Sequence, residues 1–343
     1  MQDLTVTTLC HPPHIKHLKE HLHALKTAIR DKGYKVILLN TQANDASRQA
    51  VDDIIRDVGV PNLQVIHIPN ALPIGQSRNY LFDKAQSEWI MFTDADTKIS
   101  HDYFDNLEKF SKQHNLGNVY ALSGNIGAAS LSKFGKFEAL MDKLALVGTL
   151  EGINKDIYQT AFTNPNAHTI EQYVTQIDGE LPQYSGHKIG TLQAFNQIVR
   201  KKVRTELGGC DERFKSADDR ELAIRIRAAG KDILFVPECK VDHHYNFSLS
   251  DIQKRKQVHG LWAERVRQKY SDRPDVNPSQ TAGEWAQYII SLVHPPEPYH
   301  RSLEGRLYYL LSTISYERGC LGAYMTKDHF FDDSDKRERS GRN

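Results

Sequence analysis

The chain is poor in cysteine: Cys10, Cys210, Cys239 and Cys320 are its only four, and no two form a CxxC pair. That sparsity argues against a disulfide framework and a thiolate zinc site, leaving isolated reduced thiols as the expectation. An excess of either charge sign is also missing. With 44 Lys and Arg against 43 Asp and Glu the formal charge is +1, which offers no bulk attraction to a polyanion, so no nucleic-acid partner is expected. Long apolar runs are absent too: Tyr288–Val293 and Leu307–Ile314 fall short of the ~20 residues that span a bilayer, and only peripheral membrane contact stays open. The opening MQDLTVTTLC has no basic n-region or apolar h-region, so the expected place is the cytoplasm, as far as the inner face of the membrane. No GxGxxG and no GxxxxGK[ST] follows the first strand, which disfavours a dinucleotide-binding dehydrogenase and a P-loop NTPase.

What is present is an ordinary globular balance, 39% hydrophobic and 25% charged, enough for one large α/β domain with appendages or two smaller domains. Leu4–Leu9, Val36–Leu39, Leu63–Ile68 and Trp89–Thr93 are short apolar or β-branched runs that read as strands. Between the first two, Ile15, Leu18, Leu22, Leu25 and Ile29 recur at helical spacing; Val51, Ile54, Ile55 and Val58 do the same before the third, and Gln76–Ala85 reads as a helix before the fourth. Strands alternating with helices predict a parallel, doubly wound sheet at this end. Tyr103, Phe104, Leu107 and Phe110 predict another helix, followed by a strand at Val119–Ser123. From 129 to 190 a helical stretch near Phe134–Leu146 mixes with turn-rich segments, Thr163–Asn166 and Leu181–Gly186, and reads as an insertion. Strand character returns at Thr191–Val199 and, after a helix carrying Leu222, Ile226 and Ala229, at Ile233–Val236. Residues 250–330 read as a helical extension around the turn His294-Pro295-Pro296, and the charged tail 331–343 as disordered.

The segment Trp89-Ile-Met-Phe-Thr-Asp94-Ala95-Asp96 is a buried strand delivering two aspartates at its carboxyl end, where ligands of open α/β sheets bind. Carboxylates two residues apart can converge on a hard cation such as Mg2+ or Mn2+, and such a cation would hold a diphosphate; a cap and a solvated acid would give the same tripeptide. Upstream, Gly75-Gln76-Ser77-Arg78-Asn79 starts a helix with a guanidinium suited to a phosphate or to those aspartates. Downstream come Gly208-Gly-Cys-Asp211-Glu212-Arg-Phe214 and Ser216-Ala-Asp218-Asp219-Arg-Glu221, with Arg225 on the same helix. Acids at a helix start are also what its macrodipole favours.

In order and spacing these segments resemble the inverting family 2 glycosyltransferases, whose usual pattern is a DxD after a buried strand, then GGFDE, then an acidic pair heading an amphipathic helix. The resemblance covers roughly Leu4–Ser248 apart from the insertion. It implies a GT-A fold, a Rossmann-like mixed sheet flanked by helices, with residues 1–128 as the nucleotide-sugar half and 191–249 as the catalytic half of a 1–249 domain. It implies metal coordination by Asp96, contact of Asp94 with the donor ribose or the metal shell, and Asp219 as catalytic base; Asp218 stands where the family more often has Glu. The family also places a metal-binding histidine at the position of Val241-Asp242-His243-His244-Tyr245, and His243 fits it better than His244. Thr8 to His11, Cys10 included, and Asn40-Thr41 occupy the nucleotide-contacting strand ends, although Asn40 replaces an aspartate frequent there and His11-Pro12-Pro13 is an unusual first loop. Gln76, Arg78 and Ala95 complete the donor set that the resemblance implies.

A sugar hydroxyl is a weak nucleophile, so a carboxylate beside it that accepts its proton is chemically apt. The expected reaction is a single in-line displacement from a nucleotide sugar, with a UDP-sugar favoured, in which the cation and Arg78 stabilise the departing diphosphate and the anomeric configuration inverts. The acceptor would be a carbohydrate, glycolipid or glycoprotein, as in polysaccharide assembly. Glu151, Asp156 and Tyr184 are acceptor-contact candidates, with surface solvation the blander alternative. Rival readings are a retaining or nucleotidyl transferase on a related sheet, and a carbohydrate- or nucleotide-binding module that has lost catalysis. Trp262, Trp285 and Tyr308-Tyr309-Leu310-Leu311 would serve equally as internal core or as the partner surface of a homo-oligomer.

Overall fold

Alternating β-branched runs and helical stripes become a β-α-β series at the start of the chain. In the computed structural model, which describes residues 1, 3–30, 32–151, 169–273, 299 and 303–325, that series is β1 Leu4–Cys10, α1 Ile15–Ile29, β2 Lys35–Thr41, α2 Asp45–Val58, β3 Leu63–Ile68, α3 Ile74–Lys84 and β4 Trp89–Asp94. Every residue of β1 is buried, as expected of a parallel strand covered on both faces. Leu18, Leu22, Leu25 and Ile29 form the buried stripe of α1. The Asn44 side chain caps α2 by accepting from the Ser47 amide at 2.8 Å, and Gly59 ends the helix in the left-handed region, each satisfying helix-end groups that would otherwise lack partners.

The chain continues through β5 Thr97–Ile99, α4 Tyr103–Gln113, β6 Val119–Leu131, α5 Gly135–Val147, α6 Ile170–Glu180, β7 Gln197–Arg200, α7 Lys201–Leu207, α8 Asp218–Ala228, β8 Asp232–Tyr245, α9 Leu249–Lys269 and α10 Leu303–Met325. The strands form one sheet in the order β3-β2-β1-β4-β7-β6-β8-β5. The first four run parallel; β7 is antiparallel to β4 and β6, β6 parallel to β8, and β5 antiparallel to β8. The result is the mixed α/β sheet flanked by helices that the resemblance implies, with the parallel order predicted from the sequence pattern confined to its first four strands.

Three strands depart from their expected limits: β6, expected at Val119–Ser123, runs on to Leu131, and β7 and β8 differ as well. The strand expected at Thr191–Val199 occupies only Gln197–Arg200, because the chain turns at Asn196, whose buried side-chain amide donates to the carbonyls of Asn125 and Cys239. β8 runs on past Pro237 to Tyr245: its pairing jumps from Val236–Gly124 to Lys240–Asn125, a bulge that passes over the proline, which has no N–H to give the ladder. The short β5 carries too few residues for a period to be read from sequence.

Two compact units result, Met1–Leu131 with Ala139–Tyr245, and Ser132–Glu138 with Asn246–Asn343. The sheet belongs to the first, as do α6 and Tyr184 of the expected insertion. In the second, α9 and α10 touch backbone to backbone, since a Cβ on Gly260 would collide with the Tyr316 carbonyl and one on Gly319 with the Gln257 carbonyl. Buried Glu138 is held there by Lys256 at 2.9 Å and by the Tyr308 hydroxyl at 2.6 Å. Asp156, Thr163–Asn166, Trp285, Tyr288–Val293, His294–Pro296 and the tail 331–343 lie outside the described residues. The cysteines are free, Cys320 half-buried and the other three buried. Among the described residues no helix is long and apolar enough to cross a membrane.

Candidate functional site

The parallel register brings the ends of β2, β1 and β4 to one edge: Cys10 pairs with Asn40, and Leu9 with Asp94. Asp94 closes β4, and Asp96 sits in the turn before β5, so the two acids are presented by a strand end and a tight turn, not by two positions of one strand. The turn is fixed from within. The Ala95 amide donates to the Leu9 carbonyl at 3.0 Å, and the Thr97 hydroxyl to the Asp94 carbonyl at 2.7 Å.

Opposite lies the end of β8. Thr97 pairs with His243, and the His244 amide donates to the Asp96 carbonyl at 3.2 Å. Because side chains alternate along a strand, the two histidines part. His243 Nε2 lies 3.3 Å from Asp96 Oδ2, with its ring stacked on Phe195. His244 turns to Ser130 Oγ at 2.7 Å and Glu20 at 3.3 Å, with its ring stacked on His17.

A second histidine reaches Asp96. The turn Pro12–His14 carries His14, whose Nδ1 stands 3.4 Å from Asp96 Oδ2. The other oxygen, Oδ1, is buried and has no hydrogen-bond partner among the described residues. Burial pushes the Asp94 carboxyl up to about 7, aided by the charge of Asp96 and opposed by Arg78 and His243. Burial acts on Asp96 in the same sense, but His243, by hydrogen bond and charge, and His14 outweigh it and hold Asp96 below the usual carboxylate range. Two neighbouring acids are thus split, one kept ionised by imidazoles and one drawn toward the neutral form.

The downstream motifs are tied to this edge through α3. Its first turn packs so closely on the Asp211–Glu212 segment that a Cβ on Gly75 would collide with the Asp211 carbonyl. Arg78 is buried, with one guanidinium nitrogen on Asp218 and the other donating to the Ala194 carbonyl at 2.8 Å. Arg78 is therefore engaged inside the protein by Asp218 and Ala194, and its charge also acts on Asp94. Asn79 exchanges hydrogen bonds with the Cys210 backbone at 2.8 and 2.9 Å. Gly208 and Gly209 both have positive φ, and a Cβ on Gly209 would strike Asn79. From α8, Arg225 grips Glu221 and the carbonyls of Leu207 and Gly209.

Ala217, immediately before α8, is held at φ 59, a left-handed conformation that costs a non-glycine residue about 1 kcal/mol. It turns the chain into the acidic pair. Asp218 is buried on Arg78, whereas Asp219 is half-buried and accepts the Arg220 amide at 2.8 Å. Burial, with the neighbouring Asp218 charge, pushes the Asp219 carboxyl up to about 6 against the pull of Arg78.

The remaining predicted residues are distributed as follows. Thr8 is buried and its hydroxyl is bonded to His21 at 2.9 Å. Cys10 is buried, and burial with the Asp96 and Asp94 charges pushes its thiol up to about 12. Asn40 is buried against His67 at 3.1 Å, with no partner for its Oδ1 among the described residues. Gln76 is half-buried at the start of α3. Of the acceptor candidates, Tyr184 is buried, and exposed Glu151 lines an open pocket of about 250 Å³ with Lys188 and Lys231, at the end of β8 remote from His243.

His21 and His14 escaped the sequence reading. His21 is wholly buried, joining Thr8 to the Thr97 carbonyl at 2.9 Å, and burial lowers it to about 4. Among sixteen histidines neither carries a local signature, although the His11-Pro-Pro-His14 spacing marks a rigid turn that could have drawn attention.

The family model described as Glycosyltransferase like family 2 matches residues 9–290. No curated protein sequence matches the chain. Among solved structures it is similar to the mannosyltransferase PcManGT from Pyrobaculum calidifontis in complex with GDP-Man and Mn2+, at 13% identity and a TM-score of 0.50, over 98% of this chain and 83% of that one. It is also similar to S. aureus TarS 1-349 in complex with UDP, at 13% identity and a TM-score of 0.46, over 95% of this chain and 91% of that one.

Proposed function

This chain belongs to the glycosyltransferase-like family 2 and has the GT-A fold, and from that premise we propose that it is a metal-dependent inverting glycosyltransferase in which Asp219 is the general base. The donor is a nucleoside-diphosphate sugar and the acceptor a hydroxyl of a carbohydrate, glycolipid or glycoprotein. The observation that carries the reading is the unequal treatment of the acidic pair: Asp218 is locked in a buried ion pair with Arg78, while Asp219 beside it stays half-buried with a raised carboxyl. A base whose pKa lies near the working pH both exists unprotonated and retains its proton affinity.

Asp96 and His243 are the residues that would hold a divalent cation, with Asp94 beside them. A carboxylate oxygen and an imidazole nitrogen suit manganese, and the buried, unpartnered Oδ1 of Asp96 fits an ion at that point. Among the described residues no three or more His, Cys, Asp or Glu form a ready metal cage, so the donor diphosphate and water would complete the shell. When bound, the cation supplies positive charge to the diphosphate as it departs. GDP-Man with Mn2+ in the mannosyltransferase crystal is consistent with this assignment.

In the step itself the acceptor hydroxyl oxygen bonds to the anomeric carbon, the bond from that carbon to the diphosphate oxygen breaks, and Asp219 takes the hydroxyl proton. One displacement inverts the configuration, and no carboxylate attacks the sugar. Thr8, Cys10 and Asn40, buried in β1 and β2, and Gln76, half-buried at the start of α3, complete the proposed donor set.

The test is nucleotide release, UDP or GDP from UDP- and GDP-sugars and CMP from CMP-sugars, with Mn2+, Mg2+ or EDTA. Release from one donor that stops with EDTA and with Asp96→Ala is the expected result. Turnover that persists in EDTA would overturn the metal assignment.

A further inference from the structure

Helix α10 is apolar on the wrong side for a helix that merely completes its own unit. Gly305, Ser312 and Gly319, seven residues apart, are buried, and Gly319 rests on the Gln257 carbonyl of α9 so closely that a Cβ would not fit. On the opposite side Leu303, Leu307, Leu310, Ile314 and Leu321 are 71%, 39%, 36%, 51% and 58% exposed. Their spacing alternates four and three residues, with Glu317 at the one remaining position. That is the narrow two-in-seven seam of a coiled coil, whereas a helix covering a globular core carries a broader stripe. The run Tyr308-Tyr309-Leu310-Leu311 is accordingly split: Tyr308 is buried and Leu310 exposed.

We propose that a second copy of this chain covers this face, the two α10 helices pairing antiparallel along the seam. The charges beside the seam select the direction. With Leu310 opposite the partner's Ile314 and Leu303 opposite the partner's Leu321, Glu304 falls opposite the partner's Arg318, and the symmetry repeats the pair. A parallel arrangement sets Arg306 against the partner's Leu311 and Thr313 against the partner's Arg318, with no opposite charges meeting. Glu304 already carries Lys133 at 2.9 Å, so the partner's Arg318 extends an existing ion pair into a small network. Glu317 meets the partner's Leu307; a single polar residue in a seam lowers affinity and helps fix register. The 23 residues of α10 give a seam about 34 Å long, some three heptads, and α9 holds that helix formed before any partner arrives.

The test is sedimentation of the full-length chain over a range of concentrations up to tens of micromolar. Dimerisation is expected, with Leu310→Glu/Ile314→Glu monomeric and unchanged in circular dichroism and melting temperature. Glu304→Arg alone and Arg318→Glu alone should each weaken the dimer at least tenfold, and the two combined should restore it. This charge exchange remains informative if the seam variant fails to fold. A chain that stays monomeric throughout overturns the proposal, as does a dimer indifferent to all these changes. Binding of a monomer to phosphatidylglycerol vesicles, abolished by Leu310→Glu/Ile314→Glu, would also overturn it by giving the face to a lipid surface.

Discussion

Arg78 and Asp218, separated by 140 residues in the chain, form an ion pair in which each side chain is only 2% exposed. It clamps α3 to the start of α8 and ties both to Ala194, so three segments read separately in the sequence become one support for Asp219. Removing one partner of such a pair strands a buried charge and typically costs about 3–5 kcal/mol. Arg78→Met should therefore lose that much in urea denaturation, and Arg78→Met with Asp218→Leu should lose less than Arg78→Met alone. Additive losses would mean that the pair contributes no coupling.

Asp219→Asn removes the proposed proton acceptor and leaves its shape. Turnover should fall by roughly 10²–10⁴, the range of general-base contributions, while the donor KM and the melting temperature stay near those of the wild type. A variant retaining a third of the activity would remove Asp219 from the mechanism.

With the Asp219 carboxyl at about 6, kcat/KM should rise roughly tenfold per pH unit below 6 and level off above it, because only the ionised form accepts a proton. The same shift acts on folding with the opposite outcome. A carboxyl that is harder to ionise when folded supports the native state at acid pH, and that support is lost as pH rises from the ordinary 3.8 through about 6. Wild-type and Asp219→Asn profiles of rate and denaturation midpoint against pH test both signs; an unchanged acid limb in Asp219→Asn would assign the limb to another group.

The alternation along β8 sends the two histidines to different partners. His243→Ala should raise the Mn2+ concentration needed for half-maximal turnover at least tenfold, whereas His244→Ala, bonded to Ser130 and Glu20, should shift it little. Manganese-dependent thermal stabilisation in the presence of a nucleoside diphosphate gives an independent readout. Equal effects of the two substitutions would contradict the assignment.

The first half of the fold was legible because each of its elements is local: apolar runs of strand length, stripes at helical spacing, and Asp94 to Asp96 directly after a buried strand. Gly208 and Gly209 announced a turn that both adopt with positive φ. What the sequence did not disclose depends on distant partners. Nothing near Arg78 in the sequence points to Asp218, 140 residues away, so their ion pair is visible only in the fold. The short β7 reflects Asn196 bridging Asn125 and Cys239, and its neighbours in sequence carry no sign of that. His14 and His21 are placed by the turn after β1 and by the depth of α1, and neither position leaves a pattern among so many histidines.

The burial of the thiols bears on how the protein can be handled. Cys10 is raised to about 12 and the half-buried Cys320 to about 11 by desolvation, and buried Cys210 and Cys239 are raised as well. At neutral pH all four are protonated and slow toward maleimides and oxidants, since the thiolate is the reactive form. A cysteine introduced on the surface would outpace them, so fluorophores or spin labels can be attached at chosen positions without first replacing the native residues.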